Sequence, residues 1–503
     1  MRRLRIGGLI LLELGLAASA VAASLADAAE QRDQASVRRL LQAGVDVNAA
    51  QIDGTTALHW AAYNDDADVV ALLVQAGADV NAVNRYGVPP LVEACTNGNA
   101  AIVKLLLEAG AGANTTLKGG ETVLMLAARS GNTEAVKALL ARGADPNSRE
   151  RLGQTALMWA AAEGHAAVAR ALIEAGAGLN ASIDSGFTAF FFAVREGRLD
   201  VVREFLAAGV DVNAMMQPAG GRRRSLITSP LLLAVQNAHF ELAIALVDAG
   251  ADPNDARTGF TPLHMIPGVR KPDSSDASDG APPRGAGGLS SADFVREIVN
   301  RGANVNFRLP KDAPKVPGTS SLLETGGATP LLFAADRSDV ALMRLLLELG
   351  ADPFLPNFNN TTPLLAAAGV GTQEPQEEAG EESESLEAVK LLLDRGADIN
   401  AVNNNGDTAM HGAAYNIAPL VIKLLAERGA DPQVWKNPNQ FGRTPLFIAE
   451  GYSGRLPRPD APTLEAITKL MLAAGISTEG ERPKVVDIYQ KAEEQPKPPE
   501  STK

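Results

Sequence analysis

At 503 residues the chain is long enough for several ordinary domains. Its net charge of −13 and pI near 5.1 argue against nucleic acid as the main partner, because phosphate binding needs a concentrated basic face. Hydrophobic residues make up 46% but aromatics only 4%, so the apolar mass is Ala, Leu and Val, which suits close-packed helices. One cysteine, Cys95, excludes an internal disulfide and a cysteine-based zinc site.

The chain opens with Arg2, Arg3 and Arg5, then a mostly apolar run over 6–17, then small residues from Ala18 to Ala23. This is the three-part pattern of a secretory signal over 1–23, with Ala20-Val21-Ala22 as the A-x-A site and cleavage expected near Ala22. With the Ala, Arg and Leu bias, the expected setting is the bacterial periplasm. The rival reading keeps the segment as a membrane anchor, which Glu13 makes costlier. No other stretch is apolar for long enough to span a membrane.

From residue 24 to 213 the chain is periodic. Glycines recur at Gly54, Gly87, Gly120, Gly153 and Gly186, and again at Gly44, Gly77, Gly110, Gly143, Gly176 and Gly209, each step being 33. A fixed period of this size marks a stacked array in which each unit packs on its neighbours. Residues 53–82 show one unit. Thr56 is a natural N-cap for a short helix through Ala61 and Ala62, whose small side chains let a second helix approach. Asn64 and Asp65 make a turn. Val69, Val70, Leu72 and Leu73 then lie at helical spacing, and Gly77 stops the second helix. The first unit lacks the threonine opening, as expected of a terminal cap.

After Gly209 the period breaks, with terminal glycines at Gly250, Gly302, Gly350, Gly396, Gly429 and Gly475. Residues 214–477 therefore read as about six further units carrying insertions at 215–224, 267–290, 309–324, 369–385 and 451–462. Their Pro, Gly, Ser and acidic composition predicts loops. The first and third fall in the connections between units. The other three fall between paired helices, where they should protrude from one edge. Asp273-Ser274-Ser275-Asp276 lacks the alternation of a calcium loop and reads as disorder. Residues 478–503 read as a disordered tail with a short helix near 485–489. Interrupted units should couple less tightly, so units eight to twelve are expected to open before units two to six.

The unit resembles the ankyrin repeat, whose T-P-L-H-x-A signature and 33-residue period it matches. Versions stand at Thr261-Pro262-Leu263-His264, Thr329-Pro330-Leu331, Thr362-Pro363-Leu364 and Thr444-Pro445-Leu446. The resemblance runs from about 25 to 476. It implies an all-α solenoid of about twelve repeats in one curved array, with β-hairpin fingers and a concave face lined by the first helices.

Catalytic chemistry finds no support. His59, His264 and His411 hold the fourth motif place, and His165 and His239 start second helices, so all five histidines are repeat positions. None are spaced like zinc ligands. Cys95 replaces the second alanine of a first helix and reads as a small buried hydrophobe. Gly110-Ala111-Gly112 follows a helix rather than a strand, and no Gly-Lys-Ser/Thr occurs. No cofactor and no metal are expected.

By the resemblance, a partner binds the finger tips and the solvent side of the first helices. The tips hold Arg85, Tyr86, Lys118, Arg151, Gln154, Asp184 and Phe187; the places after the alanine pair hold Tyr63, Asn64, Arg129, Ser130, Arg195 and Glu196, with Tyr415 and Asn416 in unit eleven. Tyr and Arg often dominate binding energy, so Tyr63, Tyr86, Arg129, Arg151, Phe187 and Arg195 form the candidate stripe. Trp60, Trp159 and Phe192 share one place and are read as packing between repeats. The leading reading is a non-catalytic, monomeric scaffold for another protein. The alternatives are a membrane-anchored accessory or chaperone-like factor for an envelope enzyme, and an enzyme built on the insertions.

Overall fold

The computed structural model describes residues 24–216, 228–275, 278–279, 281–315, 321–372, 380–451 and 459–479. The expected signal, nearly all of the expected tail and part of each insertion lie outside these residues. The chain divides into two compact units near residue 212.

The described residues hold 25 helices. In the first unit they pair as Leu25–Glu30 with Gln34–Gln42, Ala57–Tyr63 with Ala67–Gln75, Pro90–Asn97 with Ala100–Glu108, Val123–Ser130 with Thr133–Ala141, Ala156–Glu163 with Ala166–Glu174, and Ala189–Arg195 with Leu199–Ala207. In the second unit the pairs are Pro230–Gln236 with Phe240–Asp248, Pro262–Arg270 with Ser291–Asn300, Pro330–Asp336 with Val340–Glu348, Pro363–Ala367 with Glu382–Leu393, Ala409–Tyr415 with Pro419–Glu427, and Pro445–Ala449 with Ala461–Ala473. These are twelve repeats. The remaining helix, Pro432–Trp435, is a single turn between repeats eleven and twelve that the sequence reading did not expect.

The second repeat shows why the sequence folds this way. Leu58, Ala61, Ala62, Val69, Val70 and Leu73 are buried, so the alanines let the two helices close on a shared apolar seam. Gly77, at φ +87°, ends the second helix. Its N–H donates to the Val74 carbonyl and that of Ala78 to Leu73, a Schellman stop that needs the left-handed region. The fingers are tight turns closed by single antiparallel bridges, such as Ala50 with Thr56, rather than extended ladders. Neighbouring fingers are tied at their tips, with the Arg85 N–H donating to the Asp53 carbonyl at 2.7 Å.

Side-chain amides join repeat to repeat. Asn81 Nδ2 donates to the Gly110 carbonyl at 3.1 Å, and its Oδ1 accepts from the Gly112 N–H at 3.1 Å. Asn48, Asn114 and Asn147 make the same pair of bonds in the first unit. Asn213, Asn254 and Asn306 make it in the second. The histidines add a second set. His59 Nδ1 lies 2.8 Å from the Thr56 hydroxyl and accepts from the Thr56 N–H, while Nε2 faces the Val88 carbonyl of the next repeat at 2.9 Å. His264 repeats this with Thr261 and with the Ala328 carbonyl, 64 residues away.

The insertions differ from expectation. The helix Pro262–Arg270 continues through Pro267, so the loop begins after Arg270. Glu382–Leu393 begins inside the expected 369–385 loop. Asp273, expected to be disordered, is 8% exposed and ion-paired with Arg337, itself 3% exposed. Arg270 pairs with Asp339 at 2.6 Å and Lys271 with Glu384 at 2.6 Å. The Leu322 N–H donates to the Gly371 carbonyl at 2.8 Å, so one insertion docks on another. The inserted ends thus carry contacts across repeats eight, nine and ten. The expectation of weaker coupling there rested on treating them as free loops.

Arg337→Ala removes the buried guanidinium that faces the Asp273 carboxylate, and we expect a loss of about 3–5 kcal/mol in urea unfolding. Hydrogen exchange should then open repeats eight to ten ahead of repeats two to six; a loss under about 1 kcal/mol would show that the pair is not a tie between repeats.

A pH dependence follows from the histidines. Burial pushes His264 and His411 down to about 4. Both are neutral in the folded state above that value, whereas in the unfolded chain they gain a proton near 6.5. Their contribution to stability is complete above pH 6.5 and is lost as pH falls toward 4, by at most about 3 kcal/mol each. The urea midpoint of the His264→Gln variant should fall less steeply than wild type across that window; parallel profiles would contradict this origin.

Candidate functional site

In the first unit, the first helices pack side by side, each between its neighbours. Equivalent residues therefore recur as files across the repeats. One file is Trp60, Glu93, Leu126, Trp159 and Phe192, one residue per repeat at the 33-residue interval. A second, one helical turn on, is Tyr63, Thr96, Arg129, Ala162 and Arg195.

The two files touch. The Arg129 guanidinium lies 5.1 Å from the Trp159 ring centroid, across the boundary between repeats four and five. Arg195 lies 5.0 Å from both the Phe187 and the Phe192 rings and pairs with Glu196 at 2.8 Å. Phe187 and Phe192 are themselves 5.3 Å apart. Tyr63, 55% exposed, meets Trp60 edge-on at 5.7 Å. Arginine over an aromatic face is a favourable electrostatic contact, and here it also holds long side chains in place.

The tryptophans correct the sequence reading. Trp60 and Trp159 are half-buried on the surface rather than enclosed between repeats. Each indole N–H donates to a finger glutamine, Trp60 to Gln51 at 2.8 Å and Trp159 to Gln154 at 3.0 Å. Gln154, expected as a tip contact, thus acts as the support of Trp159. Gln51 Nε2 also donates to Asp27 at 2.8 Å and to Glu30 at 2.7 Å.

At the tips, Arg85, Tyr86, Lys118 and Arg151 are exposed, and Arg85 lies 5.6 Å from the Tyr86 ring centroid. Leu152 and Ile52 are exposed beside them, and neither was read from the sequence. Two expected contact residues also make bonds within the stack. Asn64 Nδ2 donates to the Ala29 carbonyl at 2.9 Å, closing the preceding repeat's helix. Asn97, His165 and Arg198 do the same in repeats three, five and six. Tyr415 belongs to the second unit and is half-buried. Its hydroxyl accepts from Asn439 Nδ2 at 3.1 Å, and burial raises its pKa.

Glu93 is the residue sequence reasoning missed. It occupies the tryptophan place in repeat three, a substitution visible only by counting 33 from Trp60. It is half-buried, and burial raises its pKa. Cys95 is buried beside it in sequence, with its thiol pushed up to about 12, which leaves it unreactive. Among the described residues, no three His, Cys, Asp or Glu side chains converge on a metal site, and no helix is long and apolar enough to cross a membrane.

Known proteins share this architecture. The family model for three copies of the ankyrin repeat matches residues 25–118, 124–216 and 378–456, and that for a single ankyrin repeat matches 326–358. The transient receptor potential channel pyrexia of Drosophila melanogaster is 31% identical over 129 residues, 26% of this chain and 12% of that one. The human SH3 and multiple ankyrin repeat domains protein 2 is 27% identical over 238 residues, 43% of this chain and 11% of that one. The match therefore spans about a tenth of each relative's length. The crystal structure of the human ASB11 ankyrin repeat domain is 27% identical with a TM-score of 0.40, covering 46% of this chain and 98% of that one. With more than half of its residues matched by the family model, the chain belongs to the ankyrin repeat family.

Proposed function

We propose that the chain is a non-catalytic scaffold that binds another protein along the fingers and first helices of repeats two to six. Ankyrin repeats generally mediate protein–protein interaction, and no catalytic family is indicated. The observation that carries the reading is the pair of files on the first helices. Trp60, Tyr63, Arg129, Trp159 and Arg195 stand partly exposed on rigid, mutually bonded helices. Trp, Tyr and Arg are the side chains that most often dominate an interface. Their stacking and hydrogen bonds exist before binding, which lowers the ordering cost of association. Tyr86, Arg85, Lys118 and Arg151 extend the surface to the finger tips.

The setting we infer is the bacterial periplasm, reached through cleavage near Ala22. The basic start, apolar run and A-x-A site support it. So does the capping box at Ser24, where the Asp27 N–H donates to Ser24 Oγ at 3.1 Å and the Ser24 N–H to Asp27 Oδ2 at 3.0 Å. Cleavage near Ala22 leaves this first helix whole. Sequencing the mature N-terminus should give a start at Ala23 or Ser24; an intact Met1 on the exported protein would favour retention as an anchor.

The binding reading is tested by affinity capture from the producing cell. Replacing Tyr63, Tyr86 and Arg129 with Ala should weaken capture by several kcal/mol, more than about 100-fold, if two or more are hot spots. Capture that survives the triple substitution at full strength, with helix content unchanged, would falsify the assignment of this face.

A further inference from the structure

The files change character along the first unit. In repeats five and six the aromatic rings of the first file, Trp159 and Phe192, are matched by arginines of the chain itself, Arg129 over Trp159 and Arg195 over Phe192 and the neighbouring Phe187. Arg129 and Trp159 are 30 residues apart. The same offset from Trp60 leads to Glu30, and from Tyr63 to Glu93. Glu30 thus holds the guanidinium place beside Trp60, while Glu93 holds the ring place beside Tyr63, so that each member of the aromatic pair Trp60–Tyr63 has an acid as its counterpart in the neighbouring repeat.

The local bonds fix this arrangement. Gln51 bridges the group, its Nε2 donating to Glu30 and Asp27 while its Oε1 accepts from the Trp60 indole. Asn64 Nδ2 holds the Ala29 and Glu30 carbonyls. Glu93 lies on the helix Pro90–Asn97, packed between Ala57–Tyr63 and Val123–Ser130. Among the described residues no Lys or Arg pairs with Asp27, Glu30 or Glu93, and none stacks on Trp60 or Tyr63. Glu93 has no hydrogen-bond donor there either. A half-buried carboxylate without a partner is costly, and it is relieved by a cation that arrives with a binding partner.

We propose that Glu30, Trp60, Tyr63 and Glu93 form a receptacle for an arginine side chain on an exposed segment of the partner protein. The guanidinium stacks on the aromatic pair and donates to the flanking carboxylates. A planar guanidinium suits both contacts at once, whereas an ammonium offers neither a stacking face nor a bidentate fork. The chain's own Arg129 and Arg195 show the side chain that covers aromatic rings on this face. The receptacle is a feature of this sequence rather than of the repeat, since it depends on Glu93 replacing an aromatic or apolar residue.

The inference rests on the reading of this face as an interaction site, and it is tested without the partner. The chain has three tryptophans, Trp60, Trp159 and Trp435, so the indole N–H region of a 15N spectrum of the full chain carries three signals. Trp60→Phe assigns one of them. The probes are acetyl-Gly-Arg-Gly-amide and its citrulline counterpart, which keeps the shape and removes the charge. The arginine peptide should move the Trp60 signal with a saturating curve, and the Trp159 signal, already covered by Arg129, should stay in place. The citrulline peptide should bind at least about fivefold more weakly, and Glu93→Gln should weaken the arginine peptide by a similar factor. A Trp60 signal that is unmoved to about 50 mM peptide, moves equally with citrulline, or responds unchanged in Glu93→Gln overturns the receptacle. If capture depends on Tyr63, Tyr86 and Arg129 while Trp60 ignores the peptide, the receptacle fails and the wider face stands. If Trp60 responds while capture is indifferent to Tyr86→Ala combined with Arg129→Ala, which leave the receptacle intact, the receptacle stands and the wider face fails.

Discussion

A single side-chain amide sets the spacing on which the rest of the molecule depends. Asn81 gives one donor and one acceptor to the next repeat, taking the carbonyl of its helix-ending glycine and the N–H two residues later. Only an amide can do both, because a carboxylate in that place would face the Gly110 carbonyl with a second acceptor. Each bond is exposed and worth about 1 kcal/mol net. Their recurrence fixes how far each repeat lies from the next, independently of the apolar seam. A seam of Ala, Leu and Val tolerates sliding; a pair of oppositely directed hydrogen bonds does not.

The fixed spacing explains why surface files exist. Once the first helices of repeats two to six are held in the same register, any residue and its counterpart 33 later stand side by side. Arg129 can stack on Trp159 only because two repeats hold still relative to each other. The histidines reinforce this from beneath, since His59 reaches Val88 in the following repeat. The proposed binding surface and the stacking interactions are therefore one construction. The asparagines and histidines make a rigid frame, and the files on it are free to vary.

The fold was legible because the frame repeats. The period, the Gly77-type stop and the histidine positions are each stated several times in the sequence, and repetition separates them from chance. The site was legible only in outline. Tyr63, Arg129 and Arg195 were singled out because the motif marks the places after its alanine pair, and Tyr86 because it stands at a finger tip. Asn64 shares such a place, yet its amide closes the preceding helix, a role that depends on a carbonyl 35 residues back. Trp60 and Trp159 were misplaced because a large aromatic beside alanines looks like packing until the finger glutamines are seen to hold the indole N–H groups. The insertions were misread for a different reason. Their composition describes loops, but Asp273 is buried by Arg337 of the next repeat, and neither neighbour in sequence announces it.

On the proposed reading, Glu93 is where such a surface would acquire its specificity. Its place in the file is occupied by Trp, Leu, Trp and Phe in the repeats around it, so the frame accepts a large side chain of either character. An aromatic there contributes contact area to many partners. A half-buried carboxylate does something narrower, because it disfavours every partner that covers it with an apolar or anionic group and favours one that brings a cation. The two halves of the face thus differ in what they ask of a ligand. Around Arg129 and Arg195 the arginines are already matched to rings within the chain, and they offer donors and apolar edges. Around Trp60 the rings are uncovered and flanked by acids. A partner that meets both at once has to present its charge in one order along its length, and a reversed segment would set arginine against Arg129 and an acid against Glu93. On the proposed reading, the polarity of a bound segment is set by Glu93 in one file and Arg129 in the other, while the asparagine frame that spaces them stays indifferent to it.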